Sequence, residues 1–478
     1  MRNSRVCQSS CEKQKTPRPS PVLITMILVS TLLALVLNPT CAGQTENLLY
    51  TFDGTPGTPS GSLTQGRDGR LYGTTHIVSD SNGSIFAVAT DGTFTDIHEF
   101  VDTYHDGYDP RGGLTLATNG KLYGVAYYGG GSCGQGTLFS IDLTKTFAVV
   151  QEFCGTLTGG PSYPPIEGSD GNLYGTSWAG GTQGKGLFYR YSRSGIDAPL
   201  FEFDSAHGKL PDGLLQGADG NYYAVAEQEG SHRCGTIVKF TSSGTLLHYY
   251  SFACGSRGAY PSGPLVQASD GNFYGVTYQG GDTSSPDGLG YGTIFKLTQD
   301  GRVSTVHALN GNSDGSYPVD GLVAATDGKL YGITQGRNGS IFRVGLDGTY
   351  SVVYNFASDI GSIPAARLVQ HTNGKFYGAT LYGGPLGYGT IYSLDMGLDA
   401  FITFVRPTGK VGQNLDILGQ GLSGATSVTF NGVPATSFSV VSDTYMTAVV
   451  PANATTGPVA VVAPTGTFTS NVNFRVSH

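Results

Sequence analysis

The sequence predicts an all-β chain: a seven-bladed β-propeller followed by an immunoglobulin-like β-sandwich. Three observations carry this. A unit centred on Gly-x-[Leu/Phe/Tyr]-Tyr-Gly recurs at Tyr72, Tyr123, Tyr174, Tyr223, Tyr274, Tyr331 and Tyr377, with spacings of 51, 51, 49, 51, 57 and 46 residues. The composition suits strands and turns, with 73 Gly, 28 Tyr and 23 Phe among 478 residues and only 13% charged. After residue 399 the repeat gives way to β-branched alternation. This composition disfavours a helical bundle, a coiled coil and a basic nucleic-acid binder. The aromatic mass, within 39% hydrophobic residues, is enough for a large core and argues against disorder.

The first element is a targeting segment. Arg2, Arg5, Lys13, Lys15 and Arg18 precede a 16-residue apolar run, Val22–Leu37, and small residues follow at Thr40-Cys41-Ala42-Gly43. That order is a secretory signal peptide over residues 1–43, and the run is short of the ~20 residues that span a bilayer. No second hydrophobic span follows, so no transmembrane segment is expected in the mature chain. Residues 1–43 hold five of the 27 basic and one of the 35 acidic residues, which leaves 22 basic against 34 acidic. Such a surface repels nucleic-acid phosphates and anionic lipid.

Residues 44–397 hold the repeats. Each unit opens at an Asp-Gly or Asn-Gly turn, such as Asp270-Gly271 or Asn373-Gly374, the signature of a tight hairpin between strands a and b. A third strand follows, as in Gly292-Thr293-Ile294-Phe295, and a fourth ends on an aromatic, as in Tyr354-Asn355-Phe356. Four short strands in ~50 residues are one propeller blade. In the sixth unit they are expected at Gly321–Ala325, Lys329–Gln335, Ser340–Leu346 and Tyr350–Phe356. The repeat Tyr is expected to fill the gap between blades with its hydroxyl on a backbone partner. The Gly after it, Ala224 in one unit, is expected to let the neighbouring blade approach. The seventh unit stops after strand c at Tyr392-Ser393-Leu394. Leu48-Leu49-Tyr50-Thr51-Phe52 at the other end supplies the missing strand d and closes the ring.

Residues 399–478 alternate as strands at Ser427–Phe430, Phe438–Val441 and Val459–Val462, separated by Gly, Asn and Pro turns. Pro407–Gly412, Ile417–Leu422, Ala425–Gly432, Val450-Pro451-Ala452 and Thr456–Val459 make the segment resemble an IPT/TIG domain, a family of interaction modules and spacers. The units, through Asp270–Gly281 and Gly292–Phe295, resemble the tandem repeats of bacterial choice-of-anchor GloVer-containing proteins. That resemblance implies an exported bacterial protein and brings no activity or site. The chain ends at Phe474–His478 without the sorting tail of anchored members, and the expected location is secreted or at the cell surface.

The mature chain keeps Cys133, Cys154, Cys234 and Cys254. In two units one Cys precedes strand c and the other follows strand d, at the open end of one hairpin. The expected disulfides are Cys133–Cys154 and Cys234–Cys254; a metal site is the alternative, without Cys-x-x-Cys or His clusters to favour it.

The b–c and d–a connections are long and varied, whereas the a–b and c–d turns are tight, so one propeller face is elaborated and the other plain. Binding residues concentrate on such loops. At the end of strand b, four residues after the repeat Tyr, stand His76, Tyr127, Trp178, Glu227, Tyr278, Gln335 and Leu381. This column varies while its neighbours hardly do. Tyr127, Trp178 and Tyr278, with His76, Glu227 and Tyr128, are the candidate ligand site, expected around a common mouth. The competing reading is that exposed Tyr covers loop backbone. Glu167 aligns with Gln65, Gln216, Gln267 and Gln370, which favours packing over chemistry. His105, Asp106 and Asp109 form the best polar cluster. No catalytic motif, cofactor fingerprint or metal-ligand ladder is present, so no catalytic residue, cofactor or metal is assigned. The leading expectation is a monomeric, non-enzymatic exported protein whose loop face binds a glycan or a protein. A propeller-scaffold glycan hydrolase or lyase and a structural envelope component are the alternatives.

Overall fold

The computed structural model describes residues 45–477, except 56, 79–80, 156–158, 162, 193–194 and 197–198. The expected targeting segment, with Cys7, Cys11 and Cys41, lies outside the described residues. Among the described residues there is no α-helix. Seven antiparallel sheets of four or five strands lie between Thr45 and Asp395, one per repeat. Blade 4, for example, runs through strands a to d as Lys209–Gln216, Tyr222–Gln228, Thr236–Phe240 and Leu246–Ser251. In blade 7 strand d is the N-terminal strand Thr45–Thr51, with Leu48 opposite Tyr392 and Thr51 opposite Thr390. Blade 7 also bonds blade 1: the Thr372 N–H donates to Gln65 Oε1 at 3.0 Å, and Gln65 Nε2 to Thr372 Oγ1 at 2.8 Å. The complementary ends therefore close a propeller ring.

The repeat tyrosines explain how the blades adhere. All seven are at most 8% exposed. Each ring packs on the strand-b residue before the Tyr of the next blade: Tyr174 on Tyr222, with ring centroids 4.3 Å apart, Tyr223 on Phe273 at 4.2 Å, and Tyr331 on Phe376 at 4.4 Å. The hydroxyl partner is a side chain and not the expected backbone group. Tyr274 donates to Asp270 Oδ2 at 2.8 Å, while Asp270 Oδ1 accepts the Asn272 N–H at 3.0 Å. The turn carboxylate thus shapes its own Asx turn and anchors the ring. Asn119 and Asn373 do the same with amide donors, to Tyr123 at 2.9 Å and to Tyr377 at 2.8 Å. Burial, reinforced by the Asp327 carboxylate, pushes the Tyr331 hydroxyl up to about 12, so it stays a donor at any physiological pH.

The glycine after the Tyr serves its own blade, not the neighbouring one. Gly332 lies opposite Phe342 of strand c, and a Cβ there would fall 2.4 Å from Phe342 Cζ and 2.7 Å from Leu322 Cδ2. The exception proves the constraint: Ala224 lies opposite Val238, a smaller residue. Strand d ends one residue before the expected aromatic, as at Asn355 in blade 6. The aromatic directly after it, Phe252 in blade 4, is buried and donates its N–H to the carbonyl of the Gly before strand c, Gly235, at 3.0 Å.

Strand a is longer than expected. In blade 6 it begins at Pro318, and its register breaks between Val319 and Val323. The bulges carry glycine because neighbouring inner strands nearly touch: a Cβ on Gly263, at φ +71°, would fall 2.4 Å from Asp320 Cα. Both expected disulfides are formed, Cys133–Cys154 and Cys234–Cys254, with Cα separations of 5.6 and 5.5 Å.

Beyond Thr403 two four-stranded sheets enclose Ile417, Phe430, Met446, Val461 and Phe474, a sandwich of IPT/TIG type. It packs on the plain face of the propeller, against the a–b turns. Arg67 pairs with Asp416 at 3.2 Å, Thr444 Oγ1 donates to the Arg67 carbonyl at 2.7 Å, and Arg475 Nη1 donates to the Gly217 carbonyl at 2.6 Å. Leu418 and Tyr445 of the sandwich join the hydrophobic cluster around Tyr72.

The Gly–aromatic pairing predicts a compensating double mutant. Gly332→Ala alone should destabilise by about 1–3 kcal/mol through overpacking, and Phe342→Val alone by about 2–4 kcal/mol through a cavity. Combined, they recreate the Ala224–Val238 pair and should cost at least about 1 kcal/mol less than the sum of the two, read by denaturant unfolding of all four proteins.

Candidate functional site

Strand b rises from the plain face to the loop face, so its last residues stand at the loop-face rim. His76, Tyr127, Trp178, Glu227, Gln335 and Leu381 are half-buried there, Tyr278 is 36% exposed and Tyr128 40%. The column divides into two groups. Tyr127 and Trp178, on blades 2 and 3, meet edge-to-face with centroids 5.7 Å apart, and Tyr128 stands at 4.5 Å from Tyr127. Tyr278 on blade 5 stacks instead on Tyr317, at 5.0 Å. His76 bonds Thr58 Oγ1 at 3.0 Å, and burial lowers its pKa.

Behind the rim the inner strands hold charged groups. Asp109, fully buried, pairs with Arg111 at 2.6 Å, and that guanidinium lies 4.4 Å from the Tyr127 ring centroid. Asp212 is 8% exposed and accepts the Gly263 N–H at 2.9 Å. The buried Trp178 indole N–H faces its carboxylate without completing a hydrogen bond. Burial pushes the Asp212 carboxyl up to about 7 against the pull of the Gly263 N–H, and the charges of Asp320 and Glu227 add to the rise. Burial raises Glu227 as well. Asp320 accepts the Tyr163 hydroxyl and the Arg367 N–H, so a loop of blade 3 reaches across to the inner strands of blades 6 and 7.

The expected polar cluster is dispersed: His105 pairs with Asp102 at 2.6 Å, Asp106 with His98 at 3.4 Å, and Asp109 with Arg111. Glu167 packs, as its alignment implied, accepting the Thr118 N–H at 2.7 Å at the plain face. Gln216, Gln267 and Gln370 clasp neighbouring turns the same way. Sequence reasoning missed Asp212, Asp320 and Arg367. For Asp212 the signal was a charged residue directly after Pro in an otherwise apolar strand, Leu210-Pro211-Asp212-Gly213; Asp320 and Arg367 stand two and three positions after Pro318 and Pro364. Among the described residues, no three His, Cys, Asp or Glu side chains come together as a metal site. The rim therefore offers flat rings beside carboxyl groups of raised pKa, a set suited to stacking and to hydrogen bonds with hydroxyl groups.

A family model described as the Gloeobacter/Verrucomicrobia repeat matches residues 35–164, 131–338 and 283–433, and the IPT/TIG domain model matches 400–476. Among curated proteins none matches the sequence. Of solved structures, a fungal alcohol oxidase in complex with copper is similar at a TM-score of 0.51, with 13% identity over 91% of this chain and 99% of that one. The extracellular domain of a one-component system from B. thetaiotaomicron aligns at 0.49, with 10% identity over 91% of this chain and 60% of that one. A surface component of the type-IX secretion system of Porphyromonas gingivalis aligns at 0.46, with 14% identity over 87% and 59%. At 13% identity the likeness to the alcohol oxidase is one of fold alone.

Asp212 sets a pH dependence. An unfolded carboxyl titrates near 3.9, and in the fold Asp212 titrates near 7. Its proton is held more tightly in the native state, so the stability it contributes is complete below about pH 4 and is lost as pH rises through 7. Asp212→Asn should remove that loss. Melting temperatures from pH 5 to 8 should move in favour of the variant relative to the parent; parallel curves would mean that Asp212 carries no such linkage.

Proposed function

The chain belongs to the family described by the Gloeobacter/Verrucomicrobia repeat, with an IPT/TIG domain after the repeats, and from that premise we propose that it is an exported binding protein whose loop face recognises a carbohydrate. The observation that carries this is the Tyr127–Trp178 pair at the rim beside Asp212 and Glu227. Rings stack on the apolar faces of a sugar at low entropic cost, and a buried carboxyl orients its hydroxyls. Two disulfides support an oxidising, extracytoplasmic location. Among the described residues no helix is long and apolar enough to cross a membrane. The IPT/TIG domain would act as a spacer or as a contact for a further partner.

A second reading, a glycan hydrolase, is favoured by one feature: Asp212 and Glu227 both have raised pKa values at one rim. A carboxyl that keeps its proton near neutrality can serve as a general acid. Turnover of any bound glycan separates the two readings.

Trp178→Ala tests the site. The ring is half-buried, so the melting temperature should fall by only a few degrees, while affinity for a glycan found by array screening of the parent protein should drop tenfold or more. A collapse of the melting temperature with binding unchanged would make the column structural.

A further inference from the structure

A second recess lies on the opposite side of the propeller, where the loop-face reading does not reach. Between blades 2 and 3, at the plain face, a cavity of about 720 Å³ is lined by Asn119, Tyr123, Glu167, Asn172 and Tyr191 among others. It meets at Thr118 a second one of about 400 Å³ that runs under the sandwich, lined by Gln413, Asn414 and Tyr445. Arg406 of the sandwich stands at the junction, 3.6 Å from Glu167 and donating to the Gly168 carbonyl at 3.5 Å. The combined groove has the size of a ligand site, and both propeller and sandwich build it.

The repeat itself shows that this junction is unusual. The strand-c residue opposite the one before the repeat Tyr is Val88, Ile141, Phe240, Leu297, Val344 or Leu394 in six blades, each at most 4% exposed. In blade 3 it is Tyr191, paired with Leu173 and only half-buried. A position that is sealed apolar core elsewhere is here an aromatic ring facing a polar recess. The Tyr123 clasp differs too: its partner Asn119 donates to the phenol, which leaves the phenolic proton for another acceptor.

The charges at the groove are already matched. Glu167 faces Arg406, and Arg67 pairs with Asp416 at 3.2 Å. Asp170 accepts from Tyr174 at 2.9 Å and from Asn172 at 2.7 Å. An ionic ligand would find no unmatched partner among these groups. What remains to recognise a ligand are the Asn414 amide, the second amide hydrogens and lone pairs of Asn119, Asn172 and Gln413, whose first ones are engaged by Tyr123, Asp170 and the Lys410 N–H, and the tyrosine rings. We propose that this groove between blades 2 and 3 and the IPT/TIG sandwich binds an uncharged, hydroxyl-rich oligosaccharide, at a site separate from the loop-face rim.

Calorimetric titration of the full-length protein with cellohexaose, laminarihexaose, xylohexaose and mannohexaose tests this. At least one should bind. Tyr191→Val, which installs the residue that blades 1 and 6 carry at this position, should lower its affinity tenfold or more with the melting temperature unchanged. Asn414→Ala, on the exposed surface of the sandwich, should do the same and stands independently should the Tyr191 variant misfold. Trp178→Ala should leave this affinity within twofold. The proposal is overturned if none of the four binds, or if binding survives both groove variants. Loss confined to Trp178→Ala would also overturn it, while supporting the loop-face site.

Discussion

The interaction on which the structure depends is the seven-fold tyrosine clasp. Each ring sits between two blades and is held by its hydroxyl to a carboxylate or amide in its own turn, as in Tyr274–Asp270 and Tyr377–Asn373. An isolated four-stranded sheet exposes two apolar faces; the clasp covers one with the next blade and fixes the register at which they meet. The turn residue is committed twice, because the same side chain caps its hairpin and holds the ring. The Gln clasps at the plain face add a second, polar fastening between the same neighbours. Sheet pairing alone would not close the ring; it closes because the N-terminal strand completes blade 7 while Gln65 receives Thr372.

This architecture divides labour between the two faces. The tight turns are nearly identical in all blades and give a level surface, on which the sandwich docks through Arg67, Thr444 and Arg475. The long loops vary, and two of the hairpins that bear them are tied by disulfides. The inner strands of neighbouring blades approach so closely that glycine is required, as at Gly263. The candidate surfaces lie at the rim and at a gap where the repeat is broken.

Both candidate surfaces follow from such breaks. At the rim, Asp109, Asp212 and Asp320 are buried in inner strands of alternate blades. Asp109 pairs with Arg111, Asp320 accepts from Tyr163 and Arg367, and Asp212 accepts from the Gly263 N–H with the indole of Trp178 beside it; burial raises the carboxyls of both Asp212 and Asp320. At the plain face, Tyr191 stands where the other blades carry buried apolar residues, beside a recess. A repeat protein reveals function by departing from its own consensus, since every conserved position is already engaged in holding blades together.

The sequence by itself determined the blade count, the strand order, the closing strand, both disulfides and the sandwich. Each is a local signal: an Asp-Gly turn, an alternation, or a Cys at the mouth of a hairpin. It also marked Tyr127 and Trp178, because a variable position among constant ones is visible without coordinates. Tertiary structure alone decided that Tyr278 parts from them to stack on Tyr317, that His105, Asp106 and Asp109 scatter to separate partners, and that the glycine after each Tyr yields to a ring in its own blade. It alone placed the sandwich on the plain face and Asp212 behind Trp178. Those facts depend on contacts between residues tens to hundreds of positions apart, such as Arg475 with Gly217, and a periodic sequence specifies the unit far more strongly than the angle at which distant units meet.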